Sequence, residues 1–307
     1  MKVSTILLIM LMVTPMVHAQ ERSTAEDSWA VTVPKSAFPA EEEKELPDGW
    51  NKTLVAGLNL NQVSLHNWTQ GGENTLAWTF LTNGFFAYKQ PDWIWKNVLK
   101  ITYGRTKLGD AEYEKTEDEL FWESLHSRDI GWKIDPYVAN QLRTQFAPGY
   151  KMRKNEETGL DEKVQTSGLW DPGYLIQSAG FTYAEGQMFF TRLGVAFKET
   201  FSSEYGYADD PDTDGEIETF RFQTGVESAT GLKITVMENV LYTSQLNLFS
   251  AFDQLDVWDV RWDNTFSAEV NSYINVSLNV LLVHDISQTY RTQIKQALAL
   301  GLHVSLL

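Results

Sequence analysis

The chain ends Arg291-Thr292-Gln293-Ile294-Lys295-Gln296-Ala297-Leu298-Ala299-Leu300-Gly301-Leu302-His303-Val304-Ser305-Leu306-Leu307. From Thr292 to Leu306 the even positions are mostly branched and apolar. The odd positions are polar or small: Gln293, Lys295, Ala297, Ala299, Gly301, His303 and Ser305. Successive side chains of a pleated strand point to opposite faces, so this alternation predicts one long strand with one apolar face. An ordinary strand has about 5–6 residues. This one exceeds the roughly 9–11 tilted residues that cross a bilayer. It reads as the closing strand of an antiparallel transmembrane β-barrel.

Working back from it, the same alternation recurs along the chain. Twelve strand-like segments are expected, as an up-and-down meander: 52–65, 74–89, 93–108, 118–128, 132–147, 173–184, 187–201, 217–228, 232–249, 255–270, 273–284 and the final one. Leu54, Ala56, Leu58 and Leu60 define the outer face of the first; Trp258, Val260, Trp262 and Phe266 that of the tenth. The fourth is ambiguous, because Leu120 and Trp122 compete with Phe121 and Leu125 for the outside. Glu238 falls on the apolar face of the ninth and predicts a bulge there. The expected turns Gln90-Pro91-Asp92, Arg128–Gly131, Glu185-Gly186, Ala229-Thr230-Gly231 and Asn271-Ser272 are short. They alternate with mostly longer connections, as in bacterial barrels, whose periplasmic turns are short and outer loops long. A secreted β-sandwich is the alternative, but its strands are shorter and its loops have no reason to alternate. Closure requires the last strand to pair with the first near Leu54–Leu60, which removes both sheet edges.

The chain begins Met1-Lys2 and runs through the apolar Ile6–Val13 to Ala19, which predicts a signal peptide at 1–19. An acidic segment at 20–50, rich in Glu around Ala40–Glu45, predicts a flexible periplasmic lead, and 51–307 the barrel. The net charge of −16 argues against nucleic acid as a partner. With no cysteine, disulfides and thiol chemistry are excluded. Eleven Trp, twelve Tyr and sixteen Phe suit the aromatic girdles of a membrane barrel. The expected location is the cell outer membrane. The expected partners are outer-membrane lipid, and periplasmic chaperones and barrel-assembly machinery during biogenesis; an envelope protein partner stays open.

Charges on the expected inner faces are Lys96, Lys100, Lys133, Arg143, Arg192, Arg221, Glu227, Asp259, Arg261, Asp263 and Glu269, with Asp135, Lys198, Lys233 and Lys295 beside them. In hydrocarbon each would be costly, so they face water or one another. Two readings follow. They line a passive channel for small polar solutes, or they pair and close a narrow lumen so that the barrel serves as an envelope scaffold or binding protein through its loops. Mixed signs tilt towards the narrower lumen. A hydrolase is the third reading: His284 adjoins Asp285 at the outer rim, but neighbours on a strand point apart. No catalytic constellation, metal site or cofactor is assigned. The acidic loop Ala208–Gly215 lacks the ligand spacing of a calcium hand.

Several stretches resemble an uncharacterised bacterial outer-membrane barrel family of unknown function (DUF3078-like). They are Gln62–Asn74, containing Asn67, Trp68, Gly71, Gly72 and Asn74; Trp95-Lys96-Asn97; Tyr103-Gly104; Lys115-Thr116-Glu117-Asp118; Thr144–Tyr150; and Asp171-Pro172-Gly173. The family has no assigned activity, so the resemblance implies fold and location and supplies no mechanism.

Overall fold

A computed structural model describes residues 46–66, 72–155, 159–186, 188–209, 217–286 and 288–306. Its strands, in chain order, are β1 (Gly49–Val63), β2 (Thr75–Gln90), β3 (Trp93–Leu108), β4 (Glu114–Arg128), β5 (Asp135–Thr144), β6 (Gly149–Lys154), β7 (Asp161–Ser167), β8 (Gly173–Glu185), β9 (Phe189–Phe201), β10 (Phe220–Met237), β11 (Val240–Ala251), β12 (Asp259–Glu269), β13 (Ile274–Asp285) and β14 (Thr289–Ser305). Twelve of them close an antiparallel barrel in which β5 neighbours β8 and β14 returns to β1; β6 and β7 form a separate hairpin. The closing register sets Leu58 opposite Leu302 and Asn59 opposite Gly301.

Side chains sort as the alternation requires. On β14, Ile294, Leu298, Leu300, Leu302 and Val304 face outward, whereas Ala297, Ala299 and His303 are buried inside. On β2, Phe80 is outward while Ala77, Thr79, Leu81 and Ala87 fill the interior. An apolar exterior around a charged interior is the inverse of a soluble barrel and defines a transmembrane one. Aromatic rings ring both ends. Trp50 lies 5.2 Å from Tyr88 and 6.3 Å from Trp95 near the termini. Tyr103 packs 5.4 Å from Phe146, and Phe201 5.3 Å from Phe220, near the long loops.

Loop lengths alternate as expected, with three corrections. The turn after β10 lies at Glu238-Asn239, not at Ala229–Gly231. Ala229 is buried and pairs with Asn247 and Arg192, so Gly231 is a mid-strand glycine, with Phe190 packed over it. Glu238 therefore sits in a turn, and the one irregularity falls between Thr235 and Met237. The fifth strand starts at Asp135 instead of 132, because 129–134 turns at the rim; Asp129 Oδ1 accepts the Gly131 N–H at 2.7 Å and Gly131 takes φ of 78°. The last long-side connection, 286–288, is short. The hairpin β6–β7, inside the loop expected at 148–172, carries no membrane-facing alternation and was not anticipated.

The fourth strand's ambiguity is resolved: Phe121 and Leu125 point inward and are buried, and Trp122 faces out. Residues 1–45, which hold the expected signal peptide and most of the acidic lead, and Asp210–Gly215 lie outside the described residues.

Candidate functional site

The ring order places β12 opposite β4: β3, β2, β1, β14 and β13 intervene one way, β5, β8, β9, β10 and β11 the other. An ion pair between these strands therefore crosses the whole lumen. Arg261 on β12 donates from Nη2 to Glu119 Oε1 on β4 at 3.0 Å. Arg143 on β5 donates from Nη1 to the same oxygen at 2.5 Å. Its guanidinium lies 4.9 Å over the inward Phe121 ring. One carboxylate thus joins two guanidiniums across the lumen.

Further bridges stand above and below. Arg192 donates to Glu123 at 2.6 Å and Glu227 at 3.1 Å, and Gln141 donates to Glu227 at 2.9 Å. The Arg192 side chain is 2% exposed. Lys198 pairs with Asp259 at 2.6 Å and stacks on the Tyr174 and Phe249 rings. Asn279 donates to Asp263 at 2.6 Å. Lys295 pairs with Glu117, from β14 to β4. Inward aromatic rings suit this lumen because a cation over a ring face is attracted by its quadrupole.

Among the described residues, cavities remain between the bridges. The largest, about 280 Å³, opens on the long-loop side and is lined by Lys100, Glu117, Glu119, Arg143, Arg261, Asp263 and Lys295, among others. A second, about 200 Å³, lies on the termini side between Lys100, Phe121, Glu123, Phe190 and Lys233. A third, about 130 Å³, is largely apolar, with Phe121, Ile176 and Phe249 in its wall.

Of the residues expected in the lumen, Lys100, Arg143, Arg192, Glu227, Asp259, Arg261 and Asp263 meet in these bridges and cavities. Lys96 faces inward beside them on β3. Arg221 sits at the long-loop mouth, 3.3 Å from the Asp209 carbonyl, and Glu269 ends β12 at the opposite rim. Lys133 is a correction: it lies exposed in the 129–134 turn, because the strand that would have turned it inward starts later. Glu117, Glu119 and Glu123 were missed. Their alternation was visible, and three carboxylates on one face of a spanning strand belong inside whatever apolar residues accompany them.

The family-motif stretches converge at the long-loop mouth. Asp118 accepts Phe146 N–H at 2.9 Å, Ala147 N–H at 2.8 Å and the Lys115 ammonium at 2.9 Å. Lys115 also donates to Gln145 and the Ala147 carbonyl, and Gln145 donates to the Asp171 carbonyl at 3.0 Å. The buried Asp171 carboxylate takes Ser202 Oγ–H at 2.7 Å and the N–H groups of Ser203 and Glu204 at 2.8 and 3.0 Å. Nearby Tyr207 donates to the Thr166 carbonyl at 3.0 Å; burial, with Asp171 close by, raises its hydroxyl pKa above the ordinary value. Asn74 Oδ1 accepts Leu65 N–H at 2.7 Å and Gly72 has φ of 111°, so both shape the neck of the first loop. Asn67, Trp68 and Gly71 lie outside the described residues. His284 and Asp285 do not meet: His284 Nδ1 lies 3.2 Å from Thr292 Oγ1, while Asp285 is buried on the inner face.

Fold and lumen together define an outer-membrane type of β-barrel. Residues 60–150 match the family described as protein of unknown function (DUF3078), the family whose motifs the sequence resembles. No curated protein matches the chain. Among solved structures, the translocator domain of autotransporter NalP from Neisseria meningitidis is similar at 10% identity and TM-score 0.38, covering 85% of this chain and 88% of that one. The COG4313 outer membrane channel from Pseudomonas putida F1 is similar at 10% identity and TM-score 0.39, covering 87% and 98%. The CymD monoaromatic hydrocarbon channel follows at 7% identity and TM-score 0.32, covering 85% and 88%.

Proposed function

We propose that the protein resides in the cell outer membrane as a closed barrel whose lumen is barred at rest, and that it works as an envelope scaffold or binding protein at its long-loop mouth. The observation that carries this is the Glu119 carboxylate held between Arg143 and Arg261 from opposite walls. Here a shared carboxylate ties two cations from β5 and β12 together within the lumen. The apolar belt and aromatic ends support the membrane placement. The Asp118 and Asp171 clamps support a shaped mouth rather than free loops. No catalytic step is assigned, since the one His-Asp neighbour pair points apart.

Swelling of proteoliposomes in small sugars and amino acids tests the reading. Wild-type protein is expected to swell at the rate of protein-free vesicles. Rapid swelling in a neutral sugar would overturn the barred lumen and restore the passive channel.

A further inference from the structure

The closing seam is incomplete. β1 and β14 pair from Val55 opposite Ser305 to Asn59 opposite Gly301, with one more backbone bond at the termini side from Leu306 N–H to the Leu54 carbonyl. Yet β1 continues to Val63, and β14 runs back to Thr289, still paired with β13 along its other edge. The half of the seam nearer the long loops is therefore unpaired, in the wall that faces hydrocarbon. Unpaired backbone groups are costly there and persist where they line a cavity. A cavity of about 60 Å³ does lie in the gap. Its outer lips are Leu60, Trp78, Leu298 and Leu300, and Thr79 and Ala299 back it from inside.

Behind the gap stands the cation-bearing vestibule. It carries four cations, Lys100, Arg143, Arg261 and Lys295, against Glu117, Glu119 and Asp263; Asp118, also in its wall, is neutralised by Lys115. That is a surplus of one positive charge in a chain of net charge −16. Residues of the two spaces come close at Gly104, where a Cβ would lie 2.6 Å from Thr79 Oγ1, which lines the gap, and 3.1 Å from Cβ of Glu117, which lines the vestibule. Between them runs the Lys295–Glu117 pair, which joins β14 to β4 over the inner faces of β1, β2 and β3. It straps β14 to β4 beside the stretch where backbone pairing is missing.

We propose that the unpaired half of the β1–β14 seam is a lateral port, and that vestibule and port together bind a single-chain amphiphile with an anionic head. The head meets the cations of the vestibule, displacing Glu117 from Lys295. The chain leaves between Leu60 and Leu300 into the membrane. The narrow gap suits one hydrocarbon chain, and the Glu119 bar turns the ligand sideways instead of through the axis. Lys295–Glu117 is the latch that the head displaces.

Native mass spectrometry of the full chain released from detergent tests this, with dodecanoate, dodecyl phosphate, dodecanol and succinate as probes. One dodecanoate or one dodecyl phosphate retained per barrel is expected, and which head is held better separates carboxylate from phosphate ligands. Dodecanol and succinate, lacking head charge or chain, are expected to be lost. Lys295→Gln should weaken retention roughly tenfold, the scale of one charge-assisted hydrogen bond. Because the chain has no cysteine, Asn61→Cys with Ala299→Cys, which the register of the paired half sets opposite each other, can lock the seam by oxidation. Ala299→Phe fills the gap without any thiol chemistry. Either change should abolish retention in a barrel that still shows heat-modifiable migration. No retention by wild-type protein, or retention unchanged in both the seam variant and Lys295→Gln, would overturn the port. A conducting wild-type lumen would undo the barred-barrel reading and leave this test standing.

Discussion

Arg192 shows how single residues hold this lumen. Its guanidinium is almost fully buried between Glu123 and Glu227. Removing it leaves two carboxylates facing each other without a cation. Breaking a buried ion pair from one side costs about 3–5 kcal/mol. Arg192→Met is therefore expected to lower the unfolding free energy of the barrel in lipid, read from urea titration, by that amount, and Arg192→Lys by less; equal midpoints for Arg192→Met and wild type would contradict the assignment. At the mouth, Asp171→Ala leaves the Ser203 and Glu204 N–H groups and the Ser202 hydroxyl without their acceptor. An unsatisfied buried donor costs about 1–3 kcal/mol. Proteolysis of intact cells should then cut the 202–219 loop faster than in wild type, with the barrel itself resistant. Residue by residue, the sequence told more about charge than about partners. Arg192 and Arg261 could be placed inside by alternation alone. That Arg261 meets Glu119 could not, since 142 positions separate them and only ring closure brings β12 opposite β4.

At the scale of elements, strands were legible where polarity alternated strictly. β14 is the clearest case, and β13 and β9 follow it. β4 was not legible by apolar count, because Phe121 and Leu125 serve as lumen filling beside Arg143 and Tyr137. β10 was misdivided because Ala229-Thr230-Gly231 looks like a turn; in the barrel, small residues there make room for Phe190 and neighbouring inward side chains. The hairpin β6–β7 has no membrane face, so no period betrayed it. Two substitutions in β14 separate its faces. Leu300→Arg places a cation on the lipid face and should cost about 2–4 kcal/mol if it lies near the midplane. Gly301→Val introduces a Cβ 2.5 Å from Asn275 Oδ1 and 2.6 Å from Asn59 Oδ1, in the short paired part of the seam. Both variants are expected to lower the yield of heat-modifiable barrel in the outer membrane, and Leu300→Val to leave it unchanged. Normal assembly of Gly301→Val would show that this seam tolerates displacement.

For the molecule as a whole, the ring organises everything else. Long connections gather at one rim and short ones, with both described ends of the barrel, at the other. The motif stretches that carry the family resemblance scatter over much of the chain, yet Asp118, Gln145 and Asp171 meet in one network at the long-loop mouth. That convergence explains why the motif could be read without its purpose: each stretch looks like a loop signal alone. Ion pairs tie non-adjacent strands together across the lumen between the rims, and the proposed barred lumen rests on them. Single-channel recording in a planar bilayer, comparing wild type with Glu119→Ala, tests it most directly. A silent wild type is expected, and a variant that conducts because Arg143 and Arg261 lose their common carboxylate and repel each other. A steady open-pore current from wild-type protein, unchanged by Glu119→Ala, would contradict it.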